Sequence, residues 1–196
     1  MSPAQAMERS YATLKQLLRE GAFAPGMRLE AIRLADDLGV SMTPVRDVLH
    51  RLAGERLVEA NSREGFHVPR FTEAGLRDLY EWNSALLVMA ARTKRPGAEE
   101  SPITPLWEVP AGAERIATLF TRIAAAAPNH EISHAIEGVS DRLHPFRIIE
   151  QQILERVDGE LEQLVVRGSD QPHAIRRYHL RRMRAVPALL RERGEA

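Results

Sequence analysis

The 196-residue sequence contains no cysteine, so it has no disulfide staple, no thiol nucleophile and no thiolate-held metal. Aromatic residues make up only 5% of it, and strand formers are scarce, so mostly helix is expected. No apolar run approaches the roughly 20 residues a membrane-spanning helix needs. Met1-Ser2-Pro3-Ala4-Gln5 shows no basic segment leading into an apolar core; no secretory signal is expected there, and the cytoplasm is the expected compartment. Net charge is also lacking, with 27 Lys and Arg against 27 Asp and Glu. A neutral chain is not built throughout for a polyanion, so any basic surface must belong to one part of it. There is no nucleophile elbow, no Walker loop and no dinucleotide glycine motif. Asp36-Asp37 and Glu99-Glu100 are adjacent pairs that do not face each other, and they read as surface charge. No enzyme activity is expected.

What is present is an ordinary globular composition, 44% hydrophobic and 28% charged, long enough for one domain or two small ones. Residues 4–20 predict a helix with Tyr11, Leu14, Leu17 and Leu18 on one stripe. Residues 30–38 predict a second, with Ile32, Leu34, Ala35 and Leu38 turned inward. Gly39 then stands where a left-handed C-cap belongs, and Ser41 where an N-cap belongs. Pro44 falls in the first turn of a third helix, where a missing N–H is tolerated, and Val45, Val48, Leu49 and Leu52 form its buried side. Its other face offers Thr43, Arg46, His50 and Arg51. This is the pattern of a helix-turn-helix whose second helix enters a DNA major groove. Leu57–Ala60 and Phe66–Pro69 flank a turn-forming cluster at 61–65 and predict a hairpin. Three helices and a hairpin in about 70 residues make a winged helix-turn-helix.

From Thr72, an expected N-cap, the chain reads as helical: 73–93, 114–127, 130–140, 141–164 and 173–192. Residues 94–110 hold Pro96, Gly97, Pro102, Pro105 and Pro110 and predict an irregular connection anchored by Trp107. The fold class expected is mainly α, with a winged helix-turn-helix at 1–70 and an all-helical bundle at 71–196. Arg176, Arg177, Arg181, Arg182 and Arg184 read as a solvated or dimer-flanking face of the last helix.

Pro25-Gly26-Met27-Arg28-Leu29, Leu38-Gly39-Val40-Ser41-Met42-Thr43-Pro44-Val45-Arg46, Leu57-Val58 and Gly65-Phe66-His67-Val68 together resemble the DNA-binding domain of GntR-family transcriptional regulators. The helical remainder is similar to an FCD-type effector domain of the FadR branch, shortened between about Arg92 and Glu114. The resemblance implies a DNA-binding set of Ser41, Met42, Thr43, Pro44, Arg46, His50, Arg51, Arg63 and Gly65. Arg46 suits guanine O6/N7 or a phosphate, and Ser41 and Thr43 suit phosphates at a helix N-terminus. Met42 stands where the family often has Arg, which implies a different operator. Arg56 stands where the family usually has Gly before the Leu-Val pair.

FCD domains often hold a metal between an Asp and three His. Here His130, His134, Asp158 and His179 fall at the corresponding positions, with Asp and one His exchanged, and such imidazole ligands suit a divalent Zn, Ni or Fe ion. Asn83 occupies the place of the Arg that the family uses toward an effector carboxylate. The reading that follows is a ligand- or metal-responsive repressor, a homodimer on a palindromic double-stranded DNA operator, with an unidentified small-molecule effector and no membrane partner. The alternative is a helical metal- or small-molecule-binding protein, or an enzyme, whose winged helix serves protein contacts.

Overall fold

The computed structural model describes residues 3–61, 64–93, 106–155, 157–165 and 170–195. They divide into two compact units, Met1–Arg70 and Phe71–Ala196. No described helix is long and apolar enough to cross a membrane.

The first unit contains α1 (Pro3–Arg19), β1 (Arg28–Leu29), α2 (Ala31–Leu38), α3 (Met42–Gly54), β2 (Glu59–Asn61) and β3 (Gly65–His67). Leu14 and Leu18 of α1, Leu34 and Ala35 of α2, and Val45, Val48, Leu49 and Leu52 of α3 close over Leu57, Val58, Phe66 and Val68 in one core. The expected hairpin forms as β2 and β3, with Ala60 opposite Phe66. A third strand was not foreseen: β1 pairs antiparallel with β3, Leu29 opposite Phe66, giving the order β1-β3-β2. Two residues are too short a run to show a period of two in the sequence. Ile32, expected inside, is 64% exposed, because the buried face of α2 is centred on Leu34, Ala35 and Leu38.

The second unit is a helical bundle of α4 (Glu73–Arg92), a 3-10 turn (Leu106–Glu108), α5 (Ala113–Ala125), α6 (His130–Ile153), α7 (Val157–Val165) and α8 (Gln171–Glu192). Thr72 caps α4 as expected, its side chain accepting from the Gly75 N–H at 3.1 Å. Leu76, Leu79, Tyr80, Leu86 and Leu87 of α4 pack with Ile116, Leu119, Phe120 and Ile123 of α5, Ile136, Leu143 and Phe146 of α6, and Ile175, Tyr178 and Leu189 of α8.

Three expectations are corrected here. α6 runs unbroken through Ser140 and Asp141, because Ile136, Val139, Leu143 and Phe146 continue one buried face across that point. The helix ends instead at Leu154, whose backbone is extended. Trp107 is 77% exposed, and its neighbour Leu106 packs against the core in its place. Of the connection expected at 94–110, residues 94–105 lie outside the described residues.

Candidate functional site

The turn between α2 and α3 is built by local chemistry. Gly39 adopts φ 64°, ψ 37°, and its N–H caps the end of α2 at Ala35 and Asp36. A residue with a Cβ is strained in that left-handed conformation. The chain then re-extends at Ser41 (φ −75°, ψ 160°) before α3 begins. Ser41 thus holds the N-cap place, but its side chain makes no capping hydrogen bond, and the residue is exposed.

Four buried residues orient α3: Val45, Val48, Leu49 and Leu52. Positions between them must then face outward. Met42, Thr43, Arg46 and His50 are exposed, and Pro44 is half-buried in the first turn. Met42, Arg46 and His50 are spaced by four and form one stripe. The guanidinium of Arg46 has no hydrogen bond or ion pair among the described residues. Asp47 lies beside it, exposed, and sequence reasoning passed over it. A carboxylate repels phosphate and is able to accept a hydrogen bond from an amino group such as cytosine N4.

The other two basic positions on α3 have structural work. Arg51 bonds Glu8 at 3.1 Å, lies 3.6 Å from Glu55, and its guanidinium sits 3.5 Å above the Tyr11 ring. It therefore ties α3 to α1 and points away from the Met42–Arg46 stripe. The His50 ring meets Phe66 edge-on, with centroids 4.8 Å apart, joining the end of α3 to β3.

Gly65 opens β3 at φ 86° and is paired with Asn61. Arg63 and its neighbour Ser62 lie outside the described residues. Arg28 on β1 was not foreseen as a site residue. Its guanidinium passes 3.9 Å from where a Cβ on Gly65 would stand, it is exposed, and β1 carries it beside the wing. Its only sequence signal was its place between Gly26 and Leu29.

Arg56 is the one non-glycine residue among the described residues with positive φ, at 59°. Its N–H bonds Ala53 O at 3.0 Å, and Leu57 N–H bonds Leu52 O at 3.0 Å. This is the paired ending in which glycine is usual, so the Leu57-Val58 entry to the wing is kept and the strain falls on Arg56.

In the helical unit the three histidines of the expected ligand set do not come together. His130 and His134 are exposed on the outer side of α6, because Ile132 and Ile136 occupy its inner side. His179 is wholly buried on α8. Its Nδ1–H donates to Ile175 O at 2.7 Å, and its Nε2 accepts from Asn83 Nδ2 at 3.1 Å. Burial pushes its pKa down to about 3, with Arg147 and Arg182 adding repulsion and the Ile175 bond opposing them. The side chain of Asp158, in α7, lies outside the described residues. Among the described residues no three His, Cys, Asp or Glu gather to hold a metal ion. A neutral imidazole with both nitrogens engaged, beside two guanidinium groups, does not fit a cation.

What occupies the bundle core is a polar cluster. Glu150 of α6 accepts from Tyr80 OH at 3.0 Å, Tyr178 OH at 3.4 Å and Arg182 Nε at 2.9 Å. Arg182 reaches onward to Glu160, and its guanidinium lies 3.4 Å above the Tyr178 ring. Burial works against the Arg182 charge, but Tyr178, Glu150 and Glu160 outweigh it and raise its pKa. Both phenols are pushed up, first by burial and then by Glu150. Arg147 bonds Ser140 Oγ at 2.7 Å and lies 5.0 Å from the Phe120 ring centre.

Arg182 thus leaves the solvated arginine face expected of α8. Arg176, Arg177 and Arg184 remain exposed. The signal for the cluster was Ser140, Arg147 and Glu150 recurring on the inward face of α6 at helical spacing.

Residues 6–68 match the family model of bacterial regulatory proteins, gntR family. The chain is 26% identical over 153 residues to the HTH-type transcriptional regulator YdhC of Bacillus subtilis strain 168, covering 71% of this chain and 68% of that one. It is 28% identical over 142 residues to the Nta operon transcriptional regulator of Aminobacter aminovorans, covering 66% and 68%. The solved structure of McbR/YncC from E. coli has the same fold, with TM-score 0.67 at 21% identity, covering 93% of this chain and 97% of the other.

Proposed function

We propose that this chain, a transcriptional regulator carrying the GntR-type winged helix-turn-helix, is a repressor that works in the cytoplasm as a dimer on a palindromic operator and is released by a ligand of its helical unit. The observation that carries the DNA-binding part is Arg46: an exposed guanidinium without a partner among the described residues, on the outward stripe of α3, one turn from the helix start. Thr43 and Ser41, exposed at the N-terminus of α3, support phosphate contacts, since helix N–H groups there favour anions. Arg28 and Gly65 bring a cation and a bare backbone to the wing. Met42 offers an apolar contact to a thymine methyl in place of a hydrogen bond.

One α3 reads one half-site, so a palindrome calls for two copies related by a two-fold axis. A groove of about 540 Å³ on the helical unit, lined by Ala85, Val88, Leu180 and Met183 with Glu81 and Arg176 among its polar residues, supplies such a face. Glu81 and Arg176 are exposed and make no ion pair among the described residues. In an isologous pairing the Glu81 of one copy meets a cation of the other. Release by ligand requires that the ligand bind two arrangements of the dimer unequally.

The test is a gel shift of the whole chain on the DNA upstream of its own coding region. The expected result is binding that weakens steeply with salt, is lost in Arg46→Ala and survives in Arg51→Lys. Binding by Arg46→Ala equal to wild type would overturn the assignment of α3.

A further inference from the structure

Among the described residues, the buried cluster of the helical unit has one more cation than it has carboxylates to pair with it. Glu150 and Glu160 are both engaged by Arg182, and Glu160 also takes Arg181 at 2.8 Å. Arg147, 1% exposed, bonds the Ser140 hydroxyl, lies over the Phe120 ring and makes no salt bridge among the described residues. Its Nε and Nη2 are buried without a hydrogen-bond partner among the described residues. These two nitrogens form one edge of the planar guanidinium, the edge that receives both oxygens of a carboxylate in parallel. Beside it, Asn83 donates from Nδ2 to His179 and keeps a buried Oδ1 that has no hydrogen-bond partner among the described residues. His179 stacks on the same Phe120 ring, with centroids 5.7 Å apart. A guanidinium in a protein interior stays charged, and leaving it without a counter-charge is strongly unfavourable.

We infer that the Nε/Nη2 edge of Arg147 is the receptor for a small oxyanion with two coplanar oxygens, bound without any metal ion. The ligand puts its oxygens on Arg147 and, where it carries a hydroxyl or amine, donates to Asn83 Oδ1. The inference rests on reading the Phe71–Ala196 unit as the ligand-binding half of the regulator. It replaces the metal that the family resemblance implied with a cation belonging to the protein, on α6 and not on α4. Carboxylates and inorganic oxyanions share the required chemistry, and the probes distinguish them.

The experiment is thermal unfolding of the whole chain in EDTA, with sodium acetate, glycolate or phosphate against sodium chloride at equal ionic strength. Acetate or glycolate raising the midpoint assigns the edge to a carboxylate, and phosphate alone raising it assigns it to a phosphoryl group. In either case the shift must vanish in Arg147→Met and in Arg147→Lys, which keeps the charge and loses the fork. In chloride, Arg147→Met should unfold no earlier than wild type, since it removes an unpaired buried charge. The inference is overturned if no probe exceeds chloride, if the shift needs metal, if it persists in Arg147→Met, or if Arg147→Met unfolds much earlier in chloride, which would make Arg147 structural. The gel shift decides the regulator reading separately, so the two can fail independently.

Discussion

Arg182 donates from Nε to Glu150 Oε2 across 2.9 Å, and neither side chain is exposed to solvent. The pair joins α8 to α6 inside the bundle, and Tyr80 and Tyr178 supply further hydrogen bonds to the same carboxylate. Breaking one side of such a pair leaves the other charge buried and uncompensated. Glu150→Gln keeps the shape and removes the charge, so it should cost about 3–5 kcal/mol of stability. Urea denaturation monitored by circular dichroism measures this. A loss under about 1 kcal/mol would show that solvent or another group takes over from Glu150.

His179 makes stability depend on pH. Its pKa is about 3 in the folded chain against an ordinary value of 6.5, chiefly because it is buried. Between those values the unfolded chain holds the proton and the folded chain does not, so unfolding takes up a proton and stability rises with pH. The contribution is fully present above pH 6.5 and is progressively lost as pH falls toward 3. His179→Gln should flatten the stability curve in that window, as read by denaturation at stepped pH. An unchanged curve would mean that His179 is not the group titrating there.

Arg56 holds a left-handed backbone that costs a residue with a Cβ about 1–2 kcal/mol. Arg56→Gly relieves this and loses about 0.5–1 kcal/mol to the greater freedom of the unfolded chain. A net gain of up to about 1 kcal/mol is expected, with DNA affinity unaltered. Calorimetry and the gel shift together check it, and destabilisation by glycine would show a tertiary role for the Arg56 side chain.

Arg46 and Arg51 stand five residues apart on α3 and should separate cleanly. Arg46→Ala should abolish operator binding while leaving the melting temperature within about 1 °C of wild type, as expected of an exposed side chain without partners among the described residues. Arg51→Ala removes the Glu8 and Glu55 contacts and the Tyr11 stack, and should cost about 1 kcal/mol of stability. Paired melting and binding curves on both variants decide the matter.

Leu180, 45% exposed in the groove between α4 and α8, tests the dimer. Leu180→Glu places a charge in the apolar centre of the proposed isologous face and should convert a dimer to a monomer in sedimentation. An unchanged mass would move the dimer contact elsewhere.

The winged helix-turn-helix was legible because its signals are local. Leu34, Ala35, Val45, Val48, Leu49 and Leu52 repeat at helical spacing, Gly39 stands where the chain must turn left-handed, and Gly65 marks the wing. The helical unit was legible as helices but not as a site. His130 and His134 matched a family spacing, yet their orientation depends on which face of α6 is buried, and Ile132 and Ile136 decide that. Arg182 read as one of several arginines on a polar helix, because nothing within four residues of it discloses Glu150 or Glu160.

By itself, the sequence determined the three helices and the hairpin of the first unit, the left-handed turn at Gly39 and the outward placement of Thr43, Arg46 and His50, since these follow from backbone preference and periodicity over a few residues. The tertiary structure alone decided that Leu29 pairs with Phe66, that Arg51 serves α1, and that Arg147 lies buried with an open edge. Those outcomes depend on partners brought together from distant parts of the chain, and burial, which only packing creates, takes an ordinary arginine out of water.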